Sequence, residues 1–241
     1  MFFQLAALAV LLAFYGCYFA KMLAQRRKGI QTDQIGKGKT GFVKTVELTM
    51  KVATIAVPLA EIVSIALNAT ALPVWARALG LFLALAGDAV FIAAVLTMRD
   101  SWRAGVSETD KTDLVTSGVY RFSRNPAFLG FDLVYLGLLL MFFNWALCAL
   151  SCFAALMFHL QIVNVEEAFL LSVFGDEYLE YRKHVGRYVG RRESDEGFFW
   201  GKSFLSGERK DFPQTPFQKK AAYIKARPSA RRGRRGGGWE E

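Results

Sequence analysis

Apolar residues in this chain fall in long blocks, not in the alternating or helical stripes of a soluble domain. Met1 to Ala20 carries no charged side chain, Val52 to Val74 carries only Glu61, and Ala78 to Met98 carries only Asp88. Ala127 to Val165 has Asp132 as its one acid, with His159 as a neutral or weakly basic addition. A bilayer core of about 30 Å takes roughly 20 helical residues. The first three blocks therefore predict one span each, and the 39 residues of the fourth predict two spans turning near Asn144. The expected fold is an all-α integral membrane protein with about five transmembrane helices, a C-terminal helical hairpin and cytoplasmic amphipathic helices.

Charge orients this pattern. Lys21, Arg26, Arg27 and Lys28 follow the first block instead of preceding it, the reverse of a secretory signal, so the block reads as a retained span. Residues 24–45 hold six Lys/Arg and one acid, which predicts a cytoplasmic loop. Arg99, Arg103, Lys111, Arg121 and Arg124 return the next loop to that side, and the uncharged Asn68 to Pro73 connection lies opposite. The expected placement is multi-pass in a bacterial-type plasma (inner) membrane, N-terminus outside and C-terminus cytoplasmic. The net charge of +9 then reads as orientation and contact with anionic membrane lipid, not as a nucleic-acid site. The tail ending ARRGRRGGGWEE is basic and low in complexity, and residues 189–241 are expected to be a disordered cytoplasmic tail. Cys17, Cys148 and Cys152 fall inside predicted spans, no Cys/His spacing suggests a metal, and His159 and His184 are the chain's two histidines.

The polar stretch Leu114 to Gly130, LVTSGVYRFSRNPAFLG, stands out between the apolar blocks. Leu114-Val115-Thr116 predicts an extended segment and Ser117-Gly118 a turn. Pro126 suits the first turn of a helix, which places Asn125 at the cap, where its side chain can accept a backbone N–H. Arg121 and Arg124 lie within a turn of that positive helix end, a place for a carboxylate or phosphate; snorkelling arginines beside an ordinary cap would look the same. Glu166 and Glu167 close the fifth predicted span. Carboxylates near hydrocarbon are costly, and acids at a helix C-terminus oppose its dipole. They call for a cationic neighbour, which is either Arg121 or Arg124 or a bound ligand. Trp102 beside Arg103 reads either as an interfacial anchor or as the wall of a pocket. Gly175 ends the apolar Ala168 to Phe174 segment, and Asp176 to Tyr188 predicts an amphipathic surface helix with Tyr178, Tyr181 and Val185 on one face. Glu61, Asp88, Asp132 and His159 are further candidates for function because polar and ionisable groups inside a membrane are expensive.

Leu114 to Tyr120, Arg124-Asn125-Pro126, Leu129-Gly130, Glu166-Glu167 and Phe174 to Tyr181 together resemble the isoprenylcysteine carboxyl methyltransferase family. That family lies within the wider membrane phospholipid and isoprenylcysteine methyltransferase superfamily. The resemblance covers roughly residues 99–188. It implies an S-adenosylmethionine-dependent methyltransferase built from membrane helices, its cofactor in a cytoplasmic pocket between the last two spans and the C-terminal helices. The cofactor positions it implies are Thr112, Asp113, Leu114, Val115, Tyr120, Asn125, Pro126, Ala127 and Phe128. Arg124 joins them from the helix-end argument. The family glutamate near the reacting groups matches Glu166, and Glu167 stands with it as a catalytic candidate. The chain departs from the family where Asn125 replaces a histidine, Phe128 a tyrosine, Gly105 a glutamine, and Ile162 an arginine that eukaryotic members use toward the substrate carboxylate. The cofactor positions are kept; the prenylcysteine acceptor is left open.

The expected organisation is three N-terminal transmembrane helices with a basic loop (1–98), a methyltransferase-like region with two more (99–188), and the tail. The expected acceptor is a lipophilic or small carboxyl, thiol or amine compound, with no metal. Two rival readings are an NADPH-dependent reductase of the sterol-reductase type and a non-enzymatic transporter or scaffold.

Overall fold

The structure is a computed structural model and describes residues 1–106 and 113–190. Its helices are α1 (Phe2–Arg27), α2 (Gly41–Ala66), α3 (Val74–Met98), α4 (Pro126–Met141), α5 (Trp145–Gln161), α6 (Glu167–Phe174) and α7 (Asp176–His184). Among the described residues no strand forms, and a single parallel pairing joins Asp33 to Ala104 where the α1–α2 connection meets the segment after α3.

Four helical stretches are long and apolar enough to cross a membrane: Phe2–Arg27, Gly41–Ala66, Val74–Ser101 and Trp145–Phe174. α4 has 16 residues, about 24 Å at 1.5 Å per residue, and falls short of a full crossing length. The fourth predicted span is thus present as an apolar helix, and four of the five meet the length criterion. The hairpin turns where expected. The Asn144 side chain caps α5 by accepting the Leu147 N–H at 2.9 Å, and its amide donates to Ser64 Oγ at 2.8 Å.

Lipid tails are as apolar as leucine, so close packing has to hold membrane helices together. The tightest contact here, between α3 and α4, is made of glycines. A Cβ on Gly80 would lie 2.5 Å from the Gly137 carbonyl oxygen, and one on Gly87 would lie 2.8 Å from that of Gly130. The pairing of 80 with 137 and 87 with 130 makes the helices antiparallel. Aromatic rings fill the middle of the bundle: Phe14 lies 4.3 Å from Phe91 and 4.7 Å from Phe131, and Phe131 lies 5.4 Å from Phe158, between ring centroids. Leu12, Val52 and Phe82 point outward from this core and are exposed, as a lipid-facing surface requires.

The basic end of the bundle is held by hydrogen bonds. Buried Gln25, near the end of α1, donates to the Trp102 carbonyl at 2.9 Å and accepts from Thr32 Oγ1 at 2.7 Å. The Ala104 N–H reaches the Thr32 carbonyl and the Gln34 N–H reaches the Ala104 carbonyl. The α1–α2 connection is thereby fixed against the segment that follows α3.

Candidate functional site

The stretch leading to α4 is short and tightly turned. Gly118 has φ +59°, a conformation that favours glycine, and a Cβ there would meet Thr97 Oγ1 at 2.9 Å. The 3-10 turn Gly118–Arg121 that it opens buries Tyr120. Pro126 takes the first position of α4, as its sequence context predicts. Asn125 stands at the cap position, but its side chain does not cap. Its Nδ2 instead donates to the Arg187 carbonyl at 3.0 Å. The reason is competition: the segment after α7 crosses here, with the Arg124 N–H on the Gly186 carbonyl and the Gly190 N–H on the Phe122 carbonyl. The end of α4 therefore keeps its first-turn donors free of the expected side-chain cap.

The two adjacent glutamates do not end their helix, as their place at the edge of the apolar block suggested. After α5 the chain widens into a π-helical turn, Ile162–Glu166, in which the Glu167 N–H donates to the Ile162 carbonyl five residues back. The helix then continues as α6 to Phe174, where Gly175 (φ +52°) ends it. π-turns of this kind recur at functional sites. The amphipathic helix that follows, α7, ends at His184, short of the predicted Tyr188.

Glu167 is spent in ion pairs. It lies 3.1 Å from Arg124 Nη2, and Arg187 donates to both of its oxygens, at 2.7 and 3.0 Å. Arg124 Nη1 also donates to Tyr178 Oη at 2.8 Å, and Tyr181 Oη donates to the Tyr120 carbonyl at 2.6 Å. The hydrogen bonds that Arg187 donates to the Glu167 carboxylate raise the Arg187 pKa above its usual range. Burial, with help from Tyr181 and Glu166, pushes the Tyr120 hydroxyl up, so it stays a neutral group.

Beside this cluster lies a cavity of about 430 Å³, a size typical of small-molecule sites. Asp113, Leu114, Val115, Tyr120, Arg124, Asn125, Pro126, Ala127, Phe128 and Glu166 all line it. Glu167 is outside the lining, and Thr112 lies outside the described residues. Arg121 is not part of the wall either. Tyr178 and Val185 of the predicted aromatic face are buried, and Tyr181 reaches the cavity. Trp102 is 4% exposed and lines the wall, with its ring 5.5 Å from Tyr18 and 6.3 Å from Phe91, so it is not an interfacial anchor. Of the intramembrane acids, both oxygens of Glu61 and one each of Asp88 and Asp132 are buried without a hydrogen-bond partner among the described residues, and none of the three lines the cavity.

Sequence reasoning missed half the wall. α1 contributes Tyr15, Tyr18 and Phe19, and α2 contributes Met50, Lys51, Thr54 and Ile55. Lys51 pairs with Asp33 at 2.6 Å on this surface. Glu47 and Gln161, both fully buried, stand behind Glu166, and Arg187 completes the ion-pair cluster. No local periodicity marks these residues; an acid following a basic loop was the one available signal for Glu47.

The arrangement is a cavity with aromatic walls, a carboxyl group at Glu166, and a buried cation at Arg124 whose Nε–H has no partner among the described residues. Such a site suits a ligand that is part aromatic, part zwitterionic. The comparisons with known proteins agree in kind: residues 75–177 match the Phospholipid methyltransferase family model. That model describes a class of methyltransferases and covers less than half of this chain. Within that class the chain is similar to Protein-S-isoprenylcysteine O-methyltransferase of Schizosaccharomyces pombe, 39% identical over 72 residues, 30% of each chain. The Mus musculus enzyme of that name is 32% identical over 114 residues, 46% of this chain and 40% of its own. Protein-S-isoprenylcysteine O-methyltransferase A of Arabidopsis thaliana is 31% identical over 117 residues, 48% and 59% of the two chains. Over these stretches the chain is similar to isoprenylcysteine O-methyltransferases. It spans less than two thirds of the length of these curated relatives. The reductase and transporter readings gain no support from these relatives.

Proposed function

We propose that this chain is an S-adenosylmethionine-dependent methyltransferase. It works at the basic face of the membrane, read as cytoplasmic, on a lipophilic or small carboxyl, thiol or amine acceptor. The observation that carries the reading is the pairing of Arg124 and Glu166 on the wall of one apolar cavity. The orphaned Arg124 Nε–H and the uncapped start of α4 suit the carboxylate of an amino-acid moiety. Glu166 suits its ammonium or the adjacent sulfonium, and Tyr120, Trp102 and Phe128 offer ring faces for the adenosine. The cofactor supplies an activated methyl group on a positively charged sulfur. The protein's part is to hold and align the reactants and exclude water. A carboxylate or thiolate acceptor needs no base; an amine must lose a proton, and Glu166 would be the base that takes it. Phe19 and Ile55, half-exposed at the wall between α1 and α2, give the cavity an apolar margin for an acceptor with a lipid tail.

The test is calorimetric titration of S-adenosylmethionine into the purified protein and its Glu166→Gln variant. Binding that weakens about tenfold or more in the variant is expected for loss of a charge-assisted contact. Absence of binding to the unaltered protein would overturn the reading.

A further inference from the structure

Behind the cavity wall a buried polar chain runs from the α1–α2 connection to Glu166. Lys39 and the Gly36 N–H both bind the Glu47 carboxylate, whose side chain is 0% exposed against 8% for Lys39. Gln161 Nε2 then donates to Glu47 Oε1 at 3.4 Å and to Glu166 Oε1 at 3.3 Å. The amide has two N–H groups, and each serves one carboxylate. Its own oxygen is buried with no partner among the described residues. A leucine at 161 would fill this space without that cost, so packing alone gives no reason for an amide here. What the amide does is hold two acids in fixed orientation, while Lys39 supplies the one positive charge shared by both.

From this geometry we propose that Gln161, anchored by the Lys39–Glu47 pair, is the positioning residue for Glu166. It fixes the carboxylate toward the cavity and keeps it ready for a cationic group. Lys39, in the α1–α2 connection, and Glu47, on α2, lie outside the 75–177 region that matches the family model, so this support for the site comes from beyond that region. Gln161 also sits at the mouth of the π-turn, so it holds Glu166 at the point where the helix widens. The inference rests on the methyltransferase reading above and adds to it how the site's anion is set.

The experiment is a binding cycle on the full chain in nanodiscs with two probes. S-adenosylmethionine carries the ammonium and sulfonium charges; 5′-deoxy-5′-methylthioadenosine keeps the adenosine and lacks both. Gln161→Leu and Gln161→Met are expected to weaken S-adenosylmethionine about tenfold and to leave methylthioadenosine within about twofold. In a Glu166→Gln background, Gln161→Leu is expected to add nothing, because its effect passes through Glu166. Equal losses for both probes, or full additivity in the double variant, would overturn the positioning role and leave the methyltransferase reading standing. If the unaltered protein binds methylthioadenosine or neither probe, but not S-adenosylmethionine, both fall.

Discussion

Glu166 and Glu167 are adjacent in sequence, and exchanging each for glutamine separates their roles. At 167 the loss falls on stability. The carboxylate is 9% exposed and Arg124 is 6% exposed, with Arg187 at 30% completing the cluster. Glutamine keeps the volume and one acceptor oxygen but leaves Arg124 buried without a counter-charge. Breaking a buried pair costs about 3–5 kcal/mol, and because glutamine preserves part of the hydrogen bonding and Arg187 is partly solvated, about 3 kcal/mol is the expected figure. For a chain of this size that is a fall of about 6–12 °C in Tm. At 166 the balance is reversed. The side chain faces another acid across Gln161 and has no ion pair among the described residues, so Glu166→Gln is expected to leave Tm within about 2 °C while S-adenosylmethionine binding drops. Thermal unfolding at one scan rate in one detergent, beside calorimetry on the same samples, reads both. The reasoning is refuted if Glu167→Gln keeps the parental Tm and loses binding as Glu166→Gln does.

Gly137→Ala is expected to cost about 1–3 kcal/mol by overpacking, since its Cβ would lie 2.5 Å from the Gly80 carbonyl oxygen and 2.6 Å from the Ala84 nitrogen. Gly16→Ala, whose Cβ meets nothing within 4 Å, should hold or raise Tm through helix propensity; equal melting of the two variants would refute the close-contact argument. Burial raises the hydroxyl pKa of Tyr120, Tyr178 and Tyr181. The unfolded chain ionises these phenols near pH 10 while the folded chain still holds their protons, so stability is full below about pH 10 and falls as pH rises further. Tyrosinate absorbance from this cluster should appear only as the protein unfolds, and its complete appearance in a folded sample would contradict the burial.

The spans were legible because a bilayer imposes its own period: an uncharged run of about 20 residues has few other uses. The site was legible on one side. The polar island at 114–130 betrayed itself by interrupting apolar sequence, and Pro126 marked the helix start. The α1 and α2 walls were not legible, because Tyr15, Tyr18 and Met50 read locally as ordinary membrane residues. Their role comes from which helices pack side by side, and that is set by features with no local signature, such as Gly80 and Gly87 meeting Gly137 and Gly130. The Asn125 cap misled for a related reason. Its residue type and position were right, but a strand of chain some sixty residues later claimed its amide.

The division of labour between the two acids follows from the helix that carries them. On a regular helix, neighbours diverge by about 100°, and the acids would end the span facing a dipole of the wrong sign. The π-turn removes that conflict: the helix continues past the pair, so neither acid sits at a C-terminus. It also sets which way each faces. Glu166 closes the widened turn, backed by Gln161 and open to the cavity. Glu167 opens α6 and reaches Arg124 and Arg187. That second contact does two things. It neutralises an acid that could not stay unpaired at 9% exposure. It also turns Arg124 so that two of its nitrogens are occupied by Glu167 and Tyr178 while Nε remains unpartnered in a residue on the cavity wall. One acid of the pair thus faces the cavity, and the other pairs with the arginine on its wall. Arg187 completes the arrangement from a segment that also takes the Asn125 amide and the Arg124 N–H through the carbonyls of Arg187 and Gly186. The segment after α7 is therefore part of what keeps the start of α4 in its working position.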